Sequence, residues 1–516
     1  GTPALAARPW RRPPPPAEPA ARSEPALAAA AQASAPSRHA RGAGACASSV
    51  SALLACSVAH KLGRRRYAAR RVVDCKLEAS LGARPSSVTE GARDQQSASR
   101  RRPQSRRGGG SPRGPRGGRR RHTDRVLLGG RAARFESTGR HLPPLTLERA
   151  GDYEQHLESK VADVRELLAE HLGDVPLRVY PSPKVHYRYK IGYPVWRVGD
   201  VGRDAAVGYK NIDPDTKTMV EVHEQFSNAE RINELMPLVL EPLNADPRDR
   251  RGLQKFTFVS SSDGEALVSL HYGHPLHDGW LQHVAEPLHG LCGASVVGRA
   301  RGQRLVAGSG QLVQWFEVDG RRYPQIRDEE MFVQSNVPVC HDMIRWASEE
   351  TRRHTPSDAD LLELYCGNGN FTLPLSANFR RVFATERDGR AVPAALQAIE
   401  LAALDNVRVL RLSAEETLRA MSGRQSFKCL EEAGLDLRDY NFGAILVDPP
   451  RPGLDEHSRE LIRGIDHCVY ISCNPNSLAS DLKRLDSHVV VAAALFDQFP
   501  YTPHAEVGVL LSRRAA

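Results

Sequence analysis

The chain has 516 residues, 71 Lys and Arg against 61 Asp and Glu, and a formal charge of +10, a length that suits about three domains. The charge is unevenly spread: residues 1–140 hold 29 basic and 8 acidic side chains, whereas residues 141–516 hold 42 and 53. Global basicity is therefore no argument that the folded part binds nucleic acid, and any such site there must be a local patch. In chain order, residues 1–141 come first, with a Pro/Ala-rich stretch at 11–37 and the Arg/Gly-rich "RRRPQSRRGGGSPRGPRGGRRRH" at 100–122. Neither stretch holds enough apolar area to offset chain entropy, so a disordered tail is expected. Composition admits three roles for it: a mitochondrial or plastid transit peptide, an RNA-binding tail, or a biased extension without a role. The chain begins with Gly, not Met, so a missing or processed start is left open. The best apolar run, "SSVSALLACSVAH" at 48–60, is too short and too rich in Ser to cross a membrane.

Order is expected from residue 142. "YEQHLESKVADVRELLAEHL" (153–172) has helical apolar spacing. Strand-like pieces follow from 177 to 327, which predicts a β-rich α+β domain over 142–330. It includes "HYRYK" (186–190), where aromatic and basic residues interleave around Arg188. Such a stretch can stack bases and hold phosphate, and it also reads as an ordinary strand with one wet face. From 331 to 516 helices and strands alternate: "HDMIRWASEE", "DLLELY", "RVFATE", "AVPAALQAIELAAL", "VRVLRLS", "AILVDPP", "CVYISC", "VVVAAALF" and "VGVLLS". Repeated βαβ units predict an α/β domain with a parallel, doubly wound sheet.

Four motifs carry chemistry. In "ELYCGNGNF" (363–371) Gly367 and Gly369 let the backbone approach a ligand, and Glu386 ends the next strand where a carboxylate accepts from a ribose diol. The loop is neither GxGxxG nor a Walker sequence, which favours an adenosyl ligand such as S-adenosylmethionine. "VDPPRPGLD" (447–455) places Asp448 at a strand's carboxyl end, with Arg451 available to a phosphate. "YISCNP" (470–475) ends a strand on Cys473 and starts a helix whose N-terminus favours a thiolate. Glu506 stands beside the apolar "VGVLL", where burial raises a carboxyl's pKa and makes it a base. Singly, Cys473 also reads as core filler and Glu506 as a solvated strand end. Nine cysteines without a CxxC pair argue against disulfides, zinc and iron–sulfur clusters, and for a reducing intracellular compartment.

Together "FVQSN", "LLELYCGNGNF", "ATE", "VDPPRPGLD", "YISCNP" and "LFDQFPYTPHAEVGVLL" resemble the tRNA (uracil-5-)-methyltransferase family in order and spacing, over roughly 142–516. The resemblance implies a class I, Rossmann-like methyltransferase domain behind a smaller RNA-binding domain. It implies that Gln334, Tyr365, Asn370, Glu386 and Asp448 hold S-adenosylmethionine, that Cys473 is the nucleophile and that Glu506 is the proton acceptor. The implied substrate is the T-loop uridine, uridine 54 of tRNA, and Arg451 and Arg188 are the candidate RNA contacts. No metal and no membrane partner are expected, and a monomer is. Ser335 stands where the family usually has Pro, which predicts a looser backbone. The cysteine cluster and β-barrel of the ribosomal-RNA relatives are absent, which favours tRNA. RNA cytosine-5 methyltransferases carry a cysteine after their Asp-Ala-Pro turn, where this chain has Arg451. Rival readings are a tRNA-folding chaperone, a ribosomal-RNA uridine methyltransferase, and a methyltransferase of small molecules or proteins.

Overall fold

The computed structural model describes residues 152–198, 205–212 and 218–515, all within one compact unit. The tail and the roles proposed for it lie outside the described residues. Helix α1 (Tyr153–Leu172) leads into strand β1 (Leu177–Tyr180) and buries Val164, Leu168 and Leu172, the stripe its spacing predicts. Strands β2 (Lys190–Val198), β3 (Ala206–Ile212) and β4 (Met219–Val222) precede helix α2 (Glu230–Ala245). Then come β5 (Leu253–Ser260), β6 (Ala266–Tyr272), helix α3 (Glu286–Cys292), β7 (Ser295–Ala300) and β8 (Gln303–Ala307). The seven strands make one sheet in the order β4-β3-β2-β5-β6-β7-β8. Only β6 and β7 pair in parallel there, because the crossover through α3 returns the chain in the same direction.

Helix α2 is absent from the sequence-based expectation, because Pro237 and Pro242 lie inside it. Its burial of Ile232, Leu235, Met236, Val239 and Leu243 along one face outweighs their cost.

Strands β9 (Leu312–Val318) and β10 (Arg321–Arg327) form a hairpin. Helix α4 (Val337–His354) follows, capped by Asn336, whose side chain accepts from Val339 N, and closed by Arg352, Arg353 and His354. The rest alternates: β11 (Asp360–Leu364), β12 (Val382–Thr385), α5 (Ala391–Leu401), β13 (Val407–Leu410), α6 (Ala414–Met421), β14 (Phe442–Val447), α7 (Glu456–Arg463), β15 (His467–Ser472), α8 (Pro475–Leu482), β16 (His488–Phe496) and β17 (Glu506–Arg513). The eight-stranded sheet runs β1-β16-β17-β15-β14-β11-β12-β13, with an apolar core on each face. Strands β11 to β15 are parallel as predicted. Strand β17 departs from that expectation: it lies antiparallel between β15 and β16, since the short turn after β16 allows only a hairpin return. Strand order reverses between β11 and β14, so the crevice at their carboxyl ends is the place such sheets offer to a ligand.

Tertiary contacts cross the boundary drawn at 330/331, while the one at 141/142 lies outside the described residues. Strand β1 pairs in parallel with β16, and α1 shares the core of the eight-stranded sheet. The β9–β10 hairpin packs Phe316, Val318, Tyr323 and Ile326 into the other face. The separate α+β body is thus the seven-stranded sheet of 190–307 with its helices. The "HYRYK" segment departs from its expected strand, which starts only at Lys190. His186 has φ +55°, and Arg188 N and Tyr189 N donate to Ser227 O and Ser335 O at 2.8 and 2.7 Å. The segment is a strap between the two halves.

Candidate active site

The loop after β11 turns sharply: Tyr365, Gly367 and Gly369 have φ of +62°, +56° and +89°. A side chain at Gly369 would strike Leu373, whereas the direction of a Cβ on Gly367 opens into empty space. Glu386, just beyond β12, accepts from Gly367 N at 2.9 Å and from Arg387 N and Asp388 N at 2.6 and 2.7 Å. Its carboxylate is thereby fixed against the loop, with one lone pair of Oε2 left for a ribose hydroxyl. On the loop's other side Gln325 of β10 donates to Asn370 Oδ1 at 2.8 Å and to Asn368 Oδ1 at 3.2 Å. The amide nitrogen of Asn370 is buried without a partner. Tyr365 turns its hydroxyl away to Ser458 Oγ, 2.8 Å distant on α7. Gln334 is buried and accepts from Gln498 Nε2 at 2.9 Å. The looseness predicted at Ser335 is not found, because its carbonyl accepts from Tyr189 N and Asn336 donates to Ser182 Oγ at 2.8 Å.

The candidate reactive groups come from three strand ends. Asp448 follows β14, Cys473 follows β15 and Glu506 begins β17. Ser472, the last residue of β15, pairs with Val507, which brings Cys473 and Glu506 to the same end of the two strands, close enough for the carboxyl to act on the thiol. The turns after β14 and β15 are stitched together: Asn474 Nδ2 and Ser477 Oγ donate to Arg451 O at 3.1 and 2.7 Å. Glu506 is 1% exposed and its Oε2 has no partner. Burial, then the charge of Asp448, holds its carboxyl well above the ordinary range, while Arg451 pulls the other way. Burial likewise raises Asp448. Cys473 is half-buried, and burial with the two carboxylates pushes its thiol up to about 11 despite Arg451. Burial and the two carboxyls thus oppose the thiolate expected at a helix N-terminus.

Of the predicted residues, Gly367, Asn370 and Glu386 gather at the loop, and Asp448, Cys473, Glu506 and Arg451 on the adjoining rim. Arg188 lies apart in the strap, half-buried, with its Nε unpartnered. Three further residues were not anticipated. Glu363 of β11 is buried beneath the loop with both oxygens unpartnered, and burial lifts it to about 8; an acid inside the apolar run "LLELY" is the signal that marks it. Gln325 and Gln498 hold the loop and Gln334, and only tertiary contact identifies them. The residues around the loop offer acceptors at Glu386 and donors at Asn370, which suits an adenosyl amino acid. Among the described residues no group of His, Cys, Asp and Glu is arranged for a metal ion, and no helix is long and apolar enough to cross a membrane.

The tRNA/tmRNA (uracil-C(5))-methyltransferase of Azotobacter vinelandii (strain DJ / ATCC BAA-1303) is 44% identical over 366 residues, covering 70% of this chain and 97% of the relative. Its namesake from Stutzerimonas stutzeri (strain A1501) is 41% identical over 374 residues, covering 72% and 100%. The crystal structure of Pyrococcus abyssi tRNA (uracil-54, C5)-methyltransferase in complex with S-adenosyl-L-homocysteine superposes with a TM-score of 0.52 at 20% identity, covering 70% of this chain and 83% of that one; it shows the shared fold. The profile of the tRNA (uracil-5-)-methyltransferase family matches residues 152–514, and with that span and that identity the chain belongs to the family.

Proposed function

We propose that this protein methylates C5 of a uridine in tRNA, the T-loop uridine 54, with Cys473 as nucleophile and Glu506 as proton acceptor. S-adenosylmethionine is the cofactor, and when bound it supplies an electrophilic methyl group. Gly367, Asn370, Glu386 and Asp448, with Gln334 and the backbone at Tyr365, are the residues that would hold it. Uracil C5 is a weak nucleophile on its own. Addition of the Cys473 sulfur at C6 makes C5 enolate-like, and the thiol proton must leave first. After C5 is substituted, its remaining proton must be removed before sulfur can depart. Glu506 is the base for that step: buried, raised in pKa and beside the thiol. The observation that carries the reading is the antiparallel pairing of β15 and β17, which brings a thiol and an unpartnered buried carboxyl to one strand end, close enough to interact.

On the RNA side, a cleft of about 540 Å³ lies between the two halves, lined by Lys190, Lys255, His271, Arg390 and Phe332 among others. Phe332 is 80% exposed, a free aromatic face two residues before Gln334 on which an unstacked base can rest. Arg451, exposed and close enough to Cys473 to act on its thiol, is a candidate cation for a phosphate. The relatives' names, which specify tRNA, tmRNA and uracil-54, support the same target.

A T-arm RNA with 5-fluorouridine at the target tests this. Fluorine does not leave as a proton does, so wild type should give a denaturation-resistant protein–RNA band and Cys473→Ala none. A normal methylation rate in Cys473→Ala would overturn the assignment.

A further inference from the structure

Arg327 ends β10 and is fully buried. Its Nε donates to Gln325 Oε1 at 2.7 Å, and its guanidinium lies 5.8 Å from the centre of the Phe316 ring. Nη1 and Nη2, with four N–H groups, have no partner. Nearby Arg299 and Arg304 share Glu329, but among the described residues no carboxylate pairs with Arg327. A buried cation left in that state is costly, and such a group marks a place where something else is meant to bind.

Its surroundings show what. The Gln325 amide that receives Arg327 Nε passes its own N–H groups to Asn370 and Asn368 of the glycine loop. Cys340 Sγ also donates to Asn370 Oδ1, at 3.3 Å. The Asn370 oxygen is thus fully engaged while its Nδ2 is buried and unpartnered. This flank of the loop therefore holds three buried nitrogens that can only donate. The Glu386 flank is the reverse, a carboxylate that can only accept. S-adenosylmethionine has one anionic group, the carboxylate of its methionine moiety. Its ammonium and sulfonium are cationic and its ribose hydroxyls suit Glu386. A planar guanidinium with two free Nη atoms matches a carboxylate in bidentate fashion.

We propose that Arg327, together with Asn370, binds the methionine carboxylate of S-adenosylmethionine and so sets which end of the cofactor lies on the β10 side of the glycine loop. The proposal concerns the cofactor alone and stands whichever RNA is modified.

Calorimetry on the full chain without RNA tests it. The probes are S-adenosylhomocysteine and its decarboxylated analogue, which differ only in the carboxylate. Wild type should bind the analogue roughly 10- to 150-fold more weakly, the worth of a hydrogen-bonded charge pair. Arg327→Gln should lose that same factor toward S-adenosylhomocysteine and bind the analogue within about twofold of wild type, and Arg327→Lys should fall between. Thermal melting without ligand checks that the variants fold. Should Arg327→Gln fail to fold, the wild-type ligand pair and Arg327→Lys decide. Equal affinity of wild type for both probes would overturn the proposal. So would an equal loss for both probes in Arg327→Gln, which would mean that Arg327 only props the loop through Gln325.

Discussion

At the scale of single residues, the site is a problem of protons. In the proposed reaction Cys473 loses one and Glu506 gains one, and burial raises the pKa of both groups. Carboxylates beside a thiol oppose its ionisation, so alkylation of Cys473 in the free protein should rise with pH toward a midpoint near 11. At the alkaline pH where the thiol titrates, an ionised Glu506 is one of those charges, and Glu506→Gln removes it. The midpoint should then shift downward, because the thiolate no longer faces a second anion. Iodoacetamide labelling with peptide mapping across pH 7–11 reads this, and an upward shift would contradict the pairing. The same variant separates attack from release. With an amide in place of the carboxyl the sulfur still adds and the methyl still transfers, but the C5 proton stays. Turnover should fall about 10²- to 10⁴-fold, with a methylated covalent adduct accumulating on ordinary uridine. A structural role predicts slower adduct formation and no trapped complex.

At the scale of elements, two turns and one reversed strand do the positioning. Asn474 is both the N-cap of α8, accepting from Asn476 N at 3.2 Å, and the clamp on Arg451 O. Pro475 starts the helix at a position that needs no N–H donor. Asn474→Ala should cost about 0.5–2 kcal/mol of stability as a lost cap. It should also slow adduct formation out of proportion to that loss, since only the Ser477 bond then ties the turn carrying Cys473 to the turn carrying Asp448. Chemical denaturation beside rapid-quench adduct kinetics measures both. A stability loss with unchanged adduct rate would leave Asn474 as a cap only. Strand β17 gives the site its base: were it parallel to β15, Glu506 would lie at the other end of the sheet.

For the whole molecule, cohesion comes from segments that cross between its parts. Strand β1 and α1 precede the seven-stranded sheet in sequence but belong to the eight-stranded one. Lys160 of α1 reaches Asp497, 2.5 Å away in the turn after β16, and donates to Phe499 O at 2.7 Å. Both side chains are nearly inaccessible, at 6% and 1%. Removing one member strands the other charge in the interior, so Lys160→Met should cost about 3–5 kcal/mol. Adding Asp497→Leu should recover most of it, because a desolvated pair is worth little more than apolar packing. Urea unfolding of the single and double variants checks this. A double variant no more stable than Lys160→Met would mean that the loss lay in packing, not charge.

By itself the sequence determined the alternating βα order, the glycine loop and the identities of Asp448, Cys473 and Glu506. Those features are local: apolar periodicity, a glycine that needs positive φ, and short motifs at strand ends. Helix α2 was hidden because two prolines obscure a stripe that only burial rewards. The assignment of α1, β1 and the β9–β10 hairpin was hidden because pairing partners far along the chain leave no local trace. The same holds for the antiparallel sense of β17, for the Gln325 bridge, and for Arg327, which in sequence is one arginine among many. Tertiary structure alone decided that Arg327 is buried without a counter-charge and that burial and two carboxyls raise the pKa of the Cys473 thiol, because burial and the sum of neighbouring charges belong to the folded chain and to no stretch of it.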